Sequence, residues 1–296
     1  MNVRPSLNQL GLSTGKKTRL YRILHQHGLR NGTAIFLPYD HGLEHGPRDF
    51  AGHPESGDPK HVLKLALEGG FNGIAIQIGL ARKFYWEYAG EVPLVLKLNG
   101  KTDIPAPPDP LSPVNATVEE AVRLGADAVG YTLYVGSPAQ ERDFAQYLRV
   151  REDADRFGLP LIVWSYPRGA AIDAKGGRDS FYAVDYAARA ASELGADLVK
   201  VNFPQPDKQS GVPEAYRRGF SSQEAIDAVV QSASRTLLLV SGGDHAGDEV
   251  MLEKARQSME AGATGLIFGR NVFQRSHYES LRLVAQLKDI LAKYPS

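Results

Sequence analysis

The chain has no cysteine in 296 residues, which excludes disulfides, thiolate metal centres and a cysteine nucleophile. No apolar run reaches the ~18 residues needed to span a membrane as a helix. The N-terminal MNVRPSLNQLGLSTGKK lacks the apolar core of a secretory signal. Net charge is also missing: 34 basic and 34 acidic side chains cancel and are scattered along the chain. That balance argues against a broad nucleic-acid or anionic-membrane surface. A dinucleotide fingerprint of the G-x-G-x-x-G kind does not follow any early apolar run. These absences leave a globular protein expected in the cytoplasm, with a small molecule rather than a nucleic acid or a membrane as its partner.

Eight short apolar runs are present instead: TAIFLPYD (33–40), GIAIQIG (73–79), PLVLKLNG (93–100), DAVGYTLY (127–134), PLIVWSYPRG (160–169), DLVKVNFP (197–204), TLLLVSGG (236–243) and TGLIFGRN (264–271). Between and after them the spacing predicts helices near 59–69, 79–88, 117–124, 139–157, 180–194, 221–233, 247–260 and 276–292. EGG, RLGAD, ELGAD and EAGAT supply glycines that can close a helix in the left-handed conformation. Apolar runs without alternation, each followed by a helix, imply a parallel sheet covered on both faces. Eight such units imply a (β/α)8 TIM barrel, an α/β fold, over residues 32–296. Residues 1–31 are then an N-terminal extension with a short helix around 18–28. The two longest connections, 101–117 and 204–220, follow strands and should lie on the catalytic face.

In such a barrel the chemistry sits at the carboxyl ends of strands. Those ends read Asp40-His41, Gln77, Lys97, Tyr131, Trp164/Tyr166/Arg168, Lys200, Ser241-Gly242-Gly243 and Gly269-Arg270. His41-Gly42-Leu43-Glu44-His45 spells H-x-x-E-H, a zinc-peptidase spacing that requires a helix. Here it directly follows a strand and is flanked by Gly42, Gly46 and Pro47, and nothing marks a third ligand. The segment is therefore read as polar groups over the barrel mouth, serving proton transfer or substrate hydroxyls, and no metal is expected. Histidines satisfied within a polar loop are the plainer alternative. Lys200 and Lys97 each interrupt an apolar strand. Each either pairs with a carboxylate or stays a free amine of lowered pKa, fit to attack a carbonyl. Position alone does not choose between them. Trp164, Tyr166 and Arg168 alternate and so share a face; Tyr166 suits proton donation and Arg168 an anion. Glycines closing strands seven and eight, with Arg270 added, fit a phosphate.

Taken together, DHGLEHGPRDF, LVLKLNGKT, GADAVGYTLY, VWSYPRG, GADLVKVNF, SGG and GLIFGRNVFQR, in register over roughly residues 19–293, resemble archaeal-type class I fructose-1,6-bisphosphate aldolases. The resemblance implies a metal-free, cofactor-free carbon–carbon lyase of glycolysis and gluconeogenesis that works as a homo-oligomer. It makes Lys200 the Schiff-base lysine and Tyr166 the proton donor. Asp40 joins them in catalysis, and His41, His45, Asp49, Trp164, Arg168, Val201 and Asn202 contact the substrate. Ser241, Gly242, Gly243, Gly269 and Arg270 hold a phosphate, while Lys97 is a supporting cation. Arg217 or Arg218 of the 204–220 connection is a candidate for a second phosphate, and Asp244 places a carboxylate beside the first. A related lysine aldolase or transaldolase-like enzyme for another sugar phosphate, or a sugar-phosphate-binding protein without turnover, is the alternative.

Overall fold

A computed structural model describes residues 4–104, 110–207, 210–243 and 247–296. Eight strands, β1 (Ala34–Tyr39), β2 (Gly73–Gln77), β3 (Leu94–Lys97), β4 (Ala128–Val135), β5 (Leu161–Pro167), β6 (Leu198–Asn202), β7 (Leu237–Ser241) and β8 (Gly265–Ile267), pair in chain order into a closed barrel. Every pairing is parallel, including that of β8 with β1, so the TIM barrel is present as read from the sequence. All strand residues are buried save Tyr166 and Asn202, because helices cover the outer face and side chains fill the interior.

The helices match their sequence signals closely. Their bounds are Pro59–Glu68, Ile78–Phe84, Val118–Arg123, Gln140–Phe157, Phe181–Glu193, Ser222–Ser232, Asp248–Glu260 and His277–Leu291. Asp58, Thr117, Ser180, Ser221 and Ser276 cap their first turns with side-chain oxygens, satisfying amides that have no partner inside the helix. Four of the stop signals end as anticipated, with Gly70, Gly125, Gly195 and Gly262 at positive φ.

The N-terminal helix starts earlier than the sequence reading placed it. It runs Thr14–Tyr21 and continues as a wider π-type turn over Arg22–Gln26. Its bonds explain the shift, because they go to residues that precede strands. Lys16 Nζ lies 2.7 Å from Asp197 Oδ2, Arg19 donates to the Gly158 carbonyl at 3.0 Å, and Arg22 lies 3.1 Å from Asp127 Oδ1. Leu20, Ile23 and Leu24 pack into the interior core with Phe36, Val95 and Ile162. The extension therefore closes the amino-terminal mouth of the barrel. The opposite mouth stays open.

Among the described residues no helix is long and apolar enough to cross a membrane.

Candidate active site

At the carboxyl ends of the strands lies a cavity of about 350 Å³. Asp40, Trp164, Tyr166, Lys200 and Asn202 line it, and glycines at 242, 243 and 269 form its rim. β6 delivers the lysine by simple alternation: Lys200 and Asn202 face the cavity, and Val199 and Val201 face the helices. Val201, assigned to substrate contact, is thus fully buried in the outer core and does not line the cavity.

Lys200 is enclosed, at 5% exposure. Its Nζ donates to the Tyr166 hydroxyl at 2.6 Å and to Asn202 Oδ1 at 3.3 Å. Burial, then Arg168, and further out Lys97, hold its pKa well below the ordinary value, against the opposing pull of Asp40 and Asp179. A cation is costly where no solvent can stabilise it, so the neutral amine gains population. Tyr166 moves the other way: burial, followed by Asp40, pushes its hydroxyl up, so it carries its proton at neutral pH.

Lys97, which looks the same in sequence, has the opposite surroundings. It is fully buried, 3.2 Å from Asp40 Oδ2, donates to Thr132 Oγ1 at 2.7 Å, and sits 4.2 Å above the Trp164 ring. Gly130 makes this stack possible, since a Cβ there would come within 2.8 Å of Trp164 and 2.9 Å of Lys97. Burial works against ionisation of Asp40, but Lys97 and His41 outweigh it and hold the carboxyl below its usual range.

The H-x-x-E-H segment departs from the loop read from sequence. His41–Glu44 forms one helical turn, which Gly46 ends at φ +81°. His41 and His45 do share a face, with ring centroids 5.4 Å apart. A single turn suffices because the His45 amide donates to the His41 carbonyl at 2.7 Å. His45 Nδ1 is 2.7 Å from Asp49 Oδ2, so Asp49 stands behind the histidine and outside the cavity lining. Burial depresses His41 to about 4, which leaves it neutral. Among the described residues no three His, Asp or Glu side chains are gathered as a metal ion would require.

Glu44, the fourth member of that segment, turns into the cavity, where its Oε1 is buried without a hydrogen-bond partner. Burial, opposed by Lys97, raises its carboxyl to about 7.

The rim joins β7 to β8. Gly269 is required by contact, since a Cβ would approach His41 to 2.5 Å. Gly243 adopts φ +72°. Arg270 lines the same end, as does Lys254 from the Asp248–Glu260 helix, which sequence reading did not single out. Ser241, placed among the phosphate residues, donates its hydroxyl to Asn202 Oδ1 at 2.8 Å. Asp244 lies outside the described residues. Arg217 and Arg218 are not among the cavity residues: Arg217 binds the Val212 carbonyl at 2.9 Å, and Arg218 stacks 4.2 Å from the Phe220 ring. Arg178 and Asp179, from the segment before Phe181–Glu193, line the cavity instead. β4 contributes Thr132 and Tyr134, not Tyr131, whose hydroxyl turns outward to Asp143 Oδ1 at 2.6 Å.

The model of the DeoC/LacD family aldolases matches residues 34–275. The fructose-bisphosphate aldolase class 1 of Thermoproteus tenax is 42% identical over 263 residues, 88% of this chain and 90% of that one. The enzyme of the same name from Halobacterium salinarum is 39% identical over 248 residues, 84% of this chain and 87% of its own. Among solved structures, an archaeal fructose-1,6-bisphosphate aldolase with its catalytic lysine bound to the carbinolamine intermediate superposes with a TM-score of 0.78 at 39% identity. It covers 92% of this chain and 98% of that one. A fructose-bisphosphate aldolase from Slackia heliotrinireducens gives 0.83 at 29% identity, covering 98% of this chain and 92% of its own. With a match over most of the barrel and relatives aligned along nearly its whole length, the chain belongs to the DeoC/LacD family of aldolases.

Proposed function

We propose that the protein is a class I fructose-bisphosphate aldolase that reversibly cleaves fructose 1,6-bisphosphate into dihydroxyacetone phosphate and glyceraldehyde 3-phosphate. The observation that carries the reading is the enclosed Lys200 amine, of strongly lowered pKa, 2.6 Å from a protonated Tyr166. A binding protein needs neither group, whereas imine formation needs both a free amine and a proton source.

In this mechanism the Lys200 nitrogen attacks the C2 ketone, forming an N–C bond while the carbonyl oxygen takes a proton. Tyr166 protonates the carbinolamine hydroxyl, which leaves as water and gives the iminium. The iminium draws electrons from the C3–C4 bond as the C4 hydroxyl proton is lost. Asp40 is the base for that proton, held ionised by Lys97 at the floor of the cavity. The aldehyde departs, the enamine is protonated at C3, and water releases dihydroxyacetone phosphate and the amine. One phosphate is assigned to the rim of Ser241, Gly242, Gly243, Gly269 and Arg270, whose glycines leave the backbone accessible and whose guanidinium suits an anion. His41, His45 and Trp164 also line the cavity and are assigned to hydroxyl contacts, and Arg168 and Arg178 add positive charge for the second phosphate.

Homo-oligomeric assembly and a cytoplasmic setting belong to the same proposal. Trp86, at 70% exposure, supports assembly, and a phosphorylated sugar substrate fits the setting. Borohydride reduction with dihydroxyacetone phosphate should add the triose to Lys200, identified by peptide mapping. A substrate panel should place fructose 1,6-bisphosphate first. No adduct, or an adduct on Lys97, would sink this assignment.

A further inference from the structure

Two residues at the cavity, Asp179 and Asn202, have no part in the steps above. Asp179 Oδ1 accepts from Asn202 Nδ2 at 2.6 Å, and Asn202 Oδ1 in turn accepts from Lys200 Nζ at 3.3 Å and from Ser241 Oγ at 2.8 Å. A carboxylate can only accept hydrogen bonds, whereas an amide can present either end. Asp179 therefore dictates which end of Asn202 faces the lysine. The amide NH2 of Asn202 must point at Asp179, so its oxygen points at Nζ.

The backbone holds Asp179 in place independently of this role. Its carbonyl accepts from the Gln205 amide at 2.8 Å, the Phe181 amide donates to the Gln205 carbonyl at 3.2 Å, and Ser180 pairs with Gln205 as a parallel bridge. The segment after β5 is thereby fastened to the segment after β6, and the carboxylate reaches Asn202, and through it the lysine, from a fixed support.

We propose that Asp179 is a positioning residue for the Schiff-base lysine, acting through Asn202 to aim the nucleophile and then to stabilise the iminium. The inference rests on the aldolase reading above. A neutral amine carries two hydrogens and one lone pair. With Tyr166 and Asn202 taking the two hydrogens, the lone pair is left pointing at the open cavity, where the ketone must arrive. After dehydration the iminium nitrogen keeps one hydrogen, which the Asn202 oxygen is placed to accept, with the Asp179 charge behind it. If the amide were turned around, its NH2 would oppose that hydrogen. Arg168, Asp40, Lys97 and Tyr166 also bear on Lys200 and stay unchanged in the comparison.

The test compares Asp179→Asn with wild type. Asparagine can serve either end of Asn202, so orientation and charge are lost while the shape is kept. Loss of one charge-assisted hydrogen bond should cut kcat about 10- to 100-fold, with KM changed less than kcat, because Arg178, 3.5 Å from Asp179 Oδ2, and Ser241 keep their own side chains in the variant. The pH midpoint for acetylation of Lys200 by acetic anhydride should move down, since a nearby anion is gone. Asp179→Glu should recover most of kcat. In an Asn202→Ala background, Asp179→Asn should cost little more, because the relay is already broken. Equal losses in both backgrounds, or an unmoved acetylation midpoint, would overturn the proposal. If Asp179→Asn does not fold, the Asp179→Glu variant decides: kcat within about fivefold of wild type supports the relay, and a loss as large as that of Asn202→Ala overturns it. Failure of wild type to form a borohydride adduct with dihydroxyacetone phosphate would instead overturn the aldolase reading, while the acetylation profile still reports on Asp179.

Discussion

Two lysines in similar apolar strands have different surroundings because of one neighbour. Lys97 has a carboxylate at 3.2 Å; Lys200 has a hydroxyl and an amide. Lys200→Met should therefore abolish cleavage and adduct formation while leaving the melting temperature unchanged or raised, since a buried amine gives way to an apolar chain of similar length. Lys97→Met should still form some adduct, but it strands Asp40 as a buried carboxylate without its cation. A destabilisation of about 3–5 kcal/mol is expected in denaturant titration, with weakened turnover. Glu44 makes a separate prediction. Its folded pKa is raised to about 7 by burial, so the folded state binds this proton more tightly than the unfolded chain. Its contribution to stability is full below the unfolded carboxylate value near ~4.3 and is lost as pH rises through about 7. Glu44→Gln should remove that slope, making the variant more stable than wild type above neutrality by up to about 3 kcal/mol. Parallel stability curves across pH would show that Glu44 does not titrate in this window.

The single turn at His41–Glu44 and the N-terminal extension, with its helix Thr14–Tyr21, act as elements. The turn gives His41 and His45 a common face, yet His45 Nδ1 pairs with Asp49 and no third ligand joins them among the described residues. Activity should survive exhaustive EDTA treatment; a loss that zinc restores would turn the turn back into a metal site. The N-terminal extension closes the amino-terminal mouth with Leu20, Ile23 and Leu24, and the interior core they join extends to Trp164, with Tyr166 packed against it. Leu20→Ala should cost about 2–5 kcal/mol by leaving a cavity in the interior core. Because it leaves the rim intact, KM should change little as long as the assay stays below the lowered melting temperature.

At the scale of the molecule, balanced charge leaves apolar surface as the main means of association. Of the aromatic group at 84–88, Tyr85 is core, with its hydroxyl on the Val92 carbonyl at 2.7 Å, whereas Trp86 projects at 70% exposure. Tyr278 projects at 75% at the start of the last helix. Large exposed aromatics are candidate contacts between copies. Light scattering at micromolar concentration should report a multimer, and Trp86→Lys should lower its mass. A monomeric wild type would remove the support.

Much of this was legible in the linear chain, because the signals are local. The Ser, Thr and Asp caps and the glycine stops act within a few residues, and short, mostly apolar runs alternating with helical patterns fit strands buried on both faces. Lys200, Tyr166 and Asp40 stand out because strand ends are where a barrel keeps its chemistry. The same two-sided burial is why other assignments were not readable. With both faces of β4 largely apolar, alternation has no solvent reference to set its phase, so Tyr131 and Tyr134 look alike until the barrel closes. In β6, by contrast, Lys200 and Asn202 mark one face, and Val201 was readable as belonging to the other. Only closure decides that Thr132 and Tyr134 face inward and that Lys97 meets Asp40. Closure also carries Asp179 and Lys254, from segments with no strand signal, to the edge of the cavity. Propensity and capping are properties of neighbours in sequence. Which side chains converge on one amine is a property of curvature and register, and those exist only once eight strands have met.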